Sequence, residues 1–210
     1  MDESAVPAAL AAKIGSDFST LRHQRRRRLG LFCVAALGGT LGFGLARGLN
    51  APGTAHWLFW VCLAAFAGAG VGLCAFAFGW RLPARRLLRP LPWVGVVAGW
   101  VGLALTIRPE LDPAPFFKGV ACLSLGTGFT AVLLILALFL GRRFLRRHGP
   151  TGALLGVGVG LFAIMPLHMV CEHTTADHLM VWHALVPILG GLAGALAWLF
   201  LAPREDASEV

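Results

Sequence analysis

Six apolar runs of roughly twenty residues recur along the chain, and that length is what an α-helix needs to cross the hydrocarbon core of a bilayer. Turn residues or arginines flank each run, so the runs read as separate elements. Little chain remains outside them for a soluble domain, and the sequence therefore predicts an integral membrane protein. The runs cover residues 29–46, 57–78, 91–107, 117–140, 152–170 and 179–202.

The composition supports helices rather than barrel strands. Hydrophobic residues make up 57% of the chain and charged residues only 13%, whereas about a quarter of the residues in a soluble domain carry charge. The apolar runs lack the alternation of a barrel strand. We therefore predict an all-α fold, with a cytoplasmic segment in residues 1–28, a six-helix transmembrane bundle in residues 29–202 and a cytoplasmic tail in residues 203–210.

The basic residues predict the orientation in the membrane. The chain has 18 Lys and Arg residues and a formal net charge of +8, and these residues cluster between the apolar runs. If the N-terminus is cytoplasmic, all but Arg47, Arg108 and Lys118 fall on the inner side, as the positive-inside rule requires. Both termini should then be cytoplasmic, and the net charge needs no nucleic-acid partner.

Glycines at four-residue spacing occur in five of the runs. Such ridges let helix backbones approach closely, which membrane helices need because lipid gives them no hydrophobic drive to associate. We assign these glycines to helix packing: Gly38 and Gly42, Gly68 and Gly72, Gly95 and Gly99, Gly152, Gly156 and Gly160, and Gly190 and Gly194.

The cytoplasmic segment contains a short amphipathic pattern. Leu10, Ile14, Phe18 and Leu21 share one face of a helix, and a basic run, residues 22–28, follows. One interpretation is an interfacial helix whose arginines hold anionic lipid headgroups. The other is a helix that inserts its apolar stripe into a groove of a partner protein. The residues alone leave both open.

Histidine and cysteine crowd into the end of the fifth run, the following loop and the start of the sixth. Imidazole and thiolate are ligands that Zn, Cu and Cd accept, so these side chains are candidate metal ligands. In the alternative, His168 and His183 hydrogen-bond between helices, and His173 and His178 are solvated. A five-residue spacing places His178 and His183 on different faces of an α-helix. The candidate ligands are His168, Cys171, His173, His178 and His183.

The chain has five cysteines. Cys33, Cys62 and Cys74 lie inside apolar runs, where a thiol behaves as a small inert hydrophobe. Cys122 and Cys171 lie toward the outer face, which is an oxidising side in bacteria. They could form a reversible disulfide or share a metal if the fourth and fifth helices are neighbours.

The chain resembles the negative regulator of sigma F family, the NrsF-like polytopic anti-sigma factors of bacteria. The likeness covers most of the chain: six runs after a short N-terminal segment, and a final block that is similar to the Cys to Trp-His signature of the family. The residues that carry it are Cys122, Arg142, Arg143, Gly149, Pro150, Thr151 to Gly156, Cys171, His178, Leu179, Trp182, His183, Pro187, Gly190 and Gly194.

The resemblance implies a multi-pass protein of the bacterial inner membrane that is not an enzyme. Its cytoplasmic segment would capture an extracytoplasmic-function sigma factor, with no direct contact to nucleic acid. Cys122 and Cys171 would take part in releasing that factor under metal or oxidative stress. The residues implied to bind the sigma factor are Leu10, Ile14, Phe18, Leu21, Arg25 and Arg26.

A membrane enzyme is the alternative from another class. A haem- or quinone-linked oxidoreductase could use His168, His183 and the outer cysteines. Its support is thin, because quinone-linked thiol oxidases need a paired active-site cysteine motif, and the sequence has none.

Overall fold

The computed structural model describes residues 8–48, 57–79, 90–105, 116–141, 150–173, 175 and 178–201. Several predictions fall outside these residues: those on the tail 203–210, on Arg142, Arg143 and Gly149, and on the side chain of Leu10. All regular structure in the described part is helical. The six helices are α1 (Ala8–Arg47), α2 (Trp57–Ala77), α3 (Leu91–Ala104), α4 (Phe116–Gly141), α5 (Thr151–Val170) and α6 (Leu179–Leu201).

The predicted all-α membrane fold is confirmed. Five of the six described helices are long and apolar enough to cross a bilayer. The exception is α3, whose 14 residues span about 21 Å at a rise of about 1.5 Å per residue, against a hydrocarbon core of about 30 Å.

The first helix is longer than the sequence pattern predicts. The amphipathic segment and the first apolar run form one helix of 40 residues, about 60 Å long. The reason is that residues 16–29 contain neither Gly nor Pro, and Arg is a good helix former. The predicted short helix is therefore the N-terminal extension of a membrane span.

Helix α5 forms the centre of the bundle. Every residue from Gly158 to Met169 is buried, as expected for a helix that is apolar all round. Helices α1, α2, α4 and α6 pack around it, and α3 packs on the outside of α2. We call the end of the bundle at Arg25 and Arg28 the arginine end. The opposite end, where α5 ends and α6 begins, is the site end.

Two arginines of α1 join it to its neighbours at the arginine end. Arg25 Nη1 donates to the carbonyl of Gly79 at 2.9 Å, and Arg28 Nη1 donates to the carbonyl of Leu140 at 3.2 Å. Both acceptors lie at helix C-termini, where carbonyls lack helical partners and favour positive charge. Gly79 has a φ of 71°, a left-handed conformation that ends α2 and suits glycine.

The glycine prediction is confirmed where α5 meets α6. A Cβ added at Gly156 would strike the carbonyl oxygen of Gly190, and one added at Gly160 would lie 2.5 Å from the Cα of Pro187. The backbones of the two helices are therefore in direct contact. Similarly close approaches to backbone occur at Gly152, Gly190 and Gly194. Gly72 and Gly99 lie against the side chains of Pro92 and Phe66, and a Cβ at Gly95 would lie 3.2 Å from the carbonyl oxygen of Ala65.

The same prediction is not confirmed for Gly38, Gly42 and Gly68. Within the described chain, a Cβ at any of them would meet nothing within 4 Å. The close approach of α1 is instead at Gly44, where a Cβ would lie 2.6 Å from Sδ of Met169. Helix α1 thus touches α5 two residues before Cys171.

Candidate metal centre

A widened turn opens α6 and sets the positions of two histidines. Residues Leu179–His183 are π-helical, and the N–H of Ala184 donates to the carbonyl of Leu179, five residues back. Pro187 follows inside the helix, where its ring crowds the carbonyl of His183 and offers it no N–H. A π-helical turn relieves such crowding by displacing the preceding residues.

The π-helical turn brings His178 and His183 together. Their ring centroids are 5.1 Å apart, although at about 3.6 residues per turn a five-residue spacing would separate them by roughly 140° around the helix. The prediction that they lie on different faces is therefore wrong. Both side chains are buried, with exposed fractions of 1% and 0%, so the interpretation of His178 as a solvated residue is wrong as well.

The two outer cysteines meet between α4 and the end of α5. Cys171 follows the last residue of α5 in an extended conformation, and this turns its side chain toward Cys122 on α4. The two Sγ atoms are 3.8 Å apart, and both thiols are free. Helices α4 and α5 are thus neighbours at this point, which is the condition that a shared function of the two thiols requires.

The thiols and histidines form one compact group of potential ligands. Sγ of Cys171 lies 3.3 Å from Nε2 of His178. One ligand atom from each of Cys122, Cys171, His178 and His183 can be chosen so that all four lie within 4.8 Å of one another. Two thiolates and two imidazoles make up a common ligand set of tetrahedral Zn²⁺.

The distance between the two sulfurs fits a tetrahedral ion. With Zn–S bonds of about 2.3 Å, the two sulfurs of a tetrahedral site lie about 3.8 Å apart, and the observed Sγ–Sγ distance is 3.8 Å. Nδ1 of His178 and Nε2 of His183 are buried without a hydrogen-bond partner, and each such atom costs about 1–3 kcal/mol. A metal bond to His183 Nε2 would remove one of these costs.

The surroundings of Cys171 favour its protonated form, which a metal ion would have to displace. Its hydrogen bond with Cys122, and next its burial, raise the pKa of the Cys171 thiol, while contacts with His178 and His183 oppose the shift. The residue is therefore a thiol at neutral pH. A cation that replaces this proton would supply the charge that the buried thiolate needs.

Two predicted ligands lie outside the group. Nδ1 of His168 is 3.1 Å from Nδ1 of His183, so this pair makes the interhelical hydrogen bond of the alternative interpretation. His173 is half-buried, and its backbone carbonyl accepts a hydrogen bond of 3.4 Å from Cys171 Sγ. The structure thus keeps Cys171, His178 and His183 as potential ligands and places Cys122 with them, as a metal shared by the two cysteines requires. His168 and His173 lie beside this group.

A cavity of about 260 Å³ leads from the outside of the bundle to the two thiols. Lys118, Glu172 and His173 line it together with Cys122 and Cys171. Cys122 is only half-buried, so it is the ligand that a metal ion or a small oxidant entering this cavity reaches first.

Sequence reasoning missed the aromatic side chains that hold His168. Its ring stacks on Phe66 of α2, with centroids 5.8 Å apart, and meets Trp100 of α3 edge-on at 5.9 Å. Phe66 lies about 100 positions and Trp100 about 70 positions before His168 in the chain. No periodicity or local motif connects them to the cluster.

No protein-family model, curated protein or solved structure matches the chain. The fold and the site alone define the class of molecule. It is a polytopic helical membrane protein with a mostly buried group of two cysteines and two histidines at one end of its bundle.

Proposed function

We propose that the protein is a membrane-bound anti-sigma factor that holds an extracytoplasmic-function sigma factor and releases it when a metal ion or an oxidant reacts at Cys122 and Cys171. The observation that carries the proposal is the convergence of four potential ligand atoms within 4.8 Å. The sequence resemblance to NrsF-like proteins is the basis for the sigma factor as the released partner. The cluster provides the place where a metal ion or an oxidant can react.

The composition of the cluster favours a metal over an oxidant as the main signal. A disulfide needs only the two thiols, whereas a thiophilic ion such as Zn²⁺ or Cd²⁺ would also use His178 and His183. An oxidant can act on the same pair: a hydroperoxide takes two electrons and two protons from the thiols and becomes water and an alcohol. The sulfurs, now 3.8 Å apart, would have to approach to about 2.05 Å.

The proposed orientation places the two ends of the bundle in different compartments. By the positive-inside rule the arginine end is cytoplasmic. The site end then faces the outer, oxidising side of a bacterial inner membrane, where metal ions and oxidants arrive first. A signal on one side of the membrane would thus control a partner on the other.

The continuity of α1 favours a protein partner over a lipid surface for its N-terminal part. About 17 residues of α1 precede Arg25, which corresponds to about 25 Å of helix. An interfacial helix lies in the membrane plane, whereas this segment continues a membrane span without a proline or glycine at the junction to bend it. Ile14, Phe18 and Leu21 are 43%, 66% and 48% exposed, so an apolar stripe projects where a groove can bind it.

A direct contact connects the cluster to α1. Met169 lies two residues before Cys171 and packs against Gly44, near the end of α1 at the site end. Metal binding would draw the four ligand atoms, which now lie within 4.8 Å of one another, to within about 3.8 Å. The resulting shift of Cys171 would reach Met169 and the site end of α1, whose 40 residues extend to the partner-binding stripe. The arginine contacts with Gly79 and Leu140 give α1 a defined resting position from which it can shift.

The first test concerns the partner. The variant Phe18→Asp/Leu21→Asp in the full-length protein should weaken sigma-factor binding by about 100-fold or more, because burial of each apolar side chain is worth about 1.5–3 kcal/mol. The matched control, Ser16→Asp/Ser19→Asp, adds the same charge to the opposite face and should bind normally. Co-purification from detergent followed by mass spectrometry measures both. A wild-type chain that captures no sigma factor would reject the proposed function.

The second test concerns coupling through α1. Allosteric coupling between two sites typically changes affinity by about 5–150-fold. We therefore expect Zn²⁺ or Cd²⁺ to lower the affinity for the sigma factor by a factor in that range. Gly44→Leu inserts a side chain against Met169 and should reduce this effect to less than about 2-fold. Gly42→Leu, two residues away at an open position, should leave it unchanged. Partner affinity measured with and without the metal decides the point, and an intact metal effect in Gly44→Leu would exclude this route.

A further inference from the structure

We propose that His168 is a positioning residue of the metal centre: it accepts the Nδ1–H of His183, and so fixes the tautomer of His183 that presents a bare Nε2 to the metal. The proposal rests on the metal-binding part of the proposed function. It adds a role for a buried histidine that is not itself in the ligand group.

The hydrogen bond between the two imidazoles allows only two arrangements. The Nδ1 atoms are 3.1 Å apart, and between two such nitrogens one has to donate and the other accept. If His168 donates, the neutral ring of His183 carries its proton on Nε2 and cannot bind a metal through that atom. If His183 donates, its Nε2 keeps a free lone pair.

The second arrangement is the one that suits the cluster. Nε2 of His183 is buried and makes no hydrogen bond, and His183 belongs to the group of atoms that can hold an ion. A ligating histidine usually donates its other N–H to a carboxylate, a carbonyl or a water. Here the only acceptor that the described structure places at that nitrogen is Nδ1 of His168.

The surroundings of His168 hold its ring in the accepting position. Phe66 stacks on the ring with an angle of 12° between the planes, and Trp100 meets it at 78°. The side chain is 3% exposed, so water does not compete for Nδ1. Aromatic walls on two sides favour a neutral imidazole whose orientation is fixed.

A neutral acceptor also fits the charge of the site. Two thiolates and a divalent cation sum to zero, which limits the cost of burying the site at the end of a membrane bundle. A carboxylate acceptor would leave a net negative charge, whereas an imidazole adds none. This favours a divalent ion such as Zn²⁺ or Cd²⁺ over monovalent copper.

The test compares two replacements of His168 in the full-length protein in detergent. His168→Phe removes the acceptor and retains a ring, and it should weaken Zn²⁺ binding by about 10–100-fold, the usual effect of losing such a partner. His168→Asn places a side-chain oxygen close to the position of Nδ1 and should restore the affinity to within about 5-fold. His23→Phe, which replaces an exposed histidine of α1 at the arginine end, should change it by less than about 3-fold. Competition with a chromophoric chelator measures all four proteins.

A second measurement reads the tautomer directly and does not depend on a variant that folds. In the Zn²⁺-loaded wild type, nitrogen NMR of labelled histidine should show a proton on Nδ1 of His183 and none on Nδ1 of His168. Wild-type zinc affinity in His168→Phe, or the reverse tautomers, would overturn the role of His168 and leave the metal function standing. A wild-type chain that binds neither Zn²⁺ nor Cd²⁺ would overturn both.

Discussion

Replacing both Cys122 and Cys171 with serine should weaken Zn²⁺ and Cd²⁺ binding by more than about 1,000-fold. Loss of a residue that hydrogen-bonds to a metal ligand lowers metal affinity by about 10–100-fold. The double variant removes two of the four potential ligands themselves, so its effect should be larger. Serine retains the size of the side chain, but its hydroxyl does not ionise near neutral pH to give a ligand that soft metals accept. Chelator competition on the purified protein measures the change.

Under the proposed function, the same variant should hold the sigma factor whether or not metal or oxidant is present. Cys33→Ala is the control, since Cys33 lies on α1 in the apolar part of the bundle and should leave both metal binding and release unchanged. A double variant that binds Zn²⁺ as tightly as the wild type would place the ligands elsewhere. A double variant that no longer binds metal but still releases its partner would show that these thiols do not sense the signal.

The helices could be predicted from the sequence because their cause is local. An apolar run of about twenty residues has few alternatives in a membrane, and five of the six described helices are long and apolar enough to cross a bilayer. The continuity of α1 could also have been predicted, because residues 16–29 contain no helix breaker. The change of composition at Arg22 suggested a boundary that the backbone does not have.

The site could be predicted only in part, because its geometry depends on contacts between distant residues. Cys122 and Cys171 were identified as candidates because each lies near the outer end of its apolar run. The pairing of His178 with His183 was missed, since it needs the π-helical turn before Pro187, and periodicity arguments assume a regular α-helix. The partner of His183 among the remaining histidines is set by how α5 packs against α6, and no spacing in the sequence encodes this packing.

Glycine spacing also predicts helix contacts only in part. It indicates which helix faces can come close to another backbone, but not which ones do. Gly156 and Gly38 carry the same four-residue pattern, yet only Gly156 touches another helix in the described structure. What distinguishes them is that α5 is central and buried, while this face of α1 is exposed. Lipid and a second protein can cover such a face equally well, and the pattern is the same in either case.

Gly156→Ala should lower the free energy of unfolding by about 1–3 kcal/mol, because overpacking a tight contact costs about that much. The new Cβ would strike the carbonyl of Gly190 and lie 3.1 Å from the Cα of Gly191, and backbone atoms cannot move aside as a side chain can. The melting temperature in detergent should fall by about 2–12 °C, at about 2–4 °C per kcal/mol for a chain of this size.

Gly128→Ala is the matched control for this variant. A Cβ at Gly128 meets nothing within 4 Å in the described structure, so alanine there should be neutral or slightly stabilising, since it restricts the unfolded chain. Gly156→Ala should also weaken Zn²⁺ binding, because Gly160 and Pro187 form the next contact toward the site end and the π-helical turn with His183 begins just beyond them. Equal melting temperatures for the two variants would mean that α5 and α6 are not in backbone contact. A large loss of stability with unchanged zinc affinity would mean that the ligand group keeps its geometry independently of this helix pair.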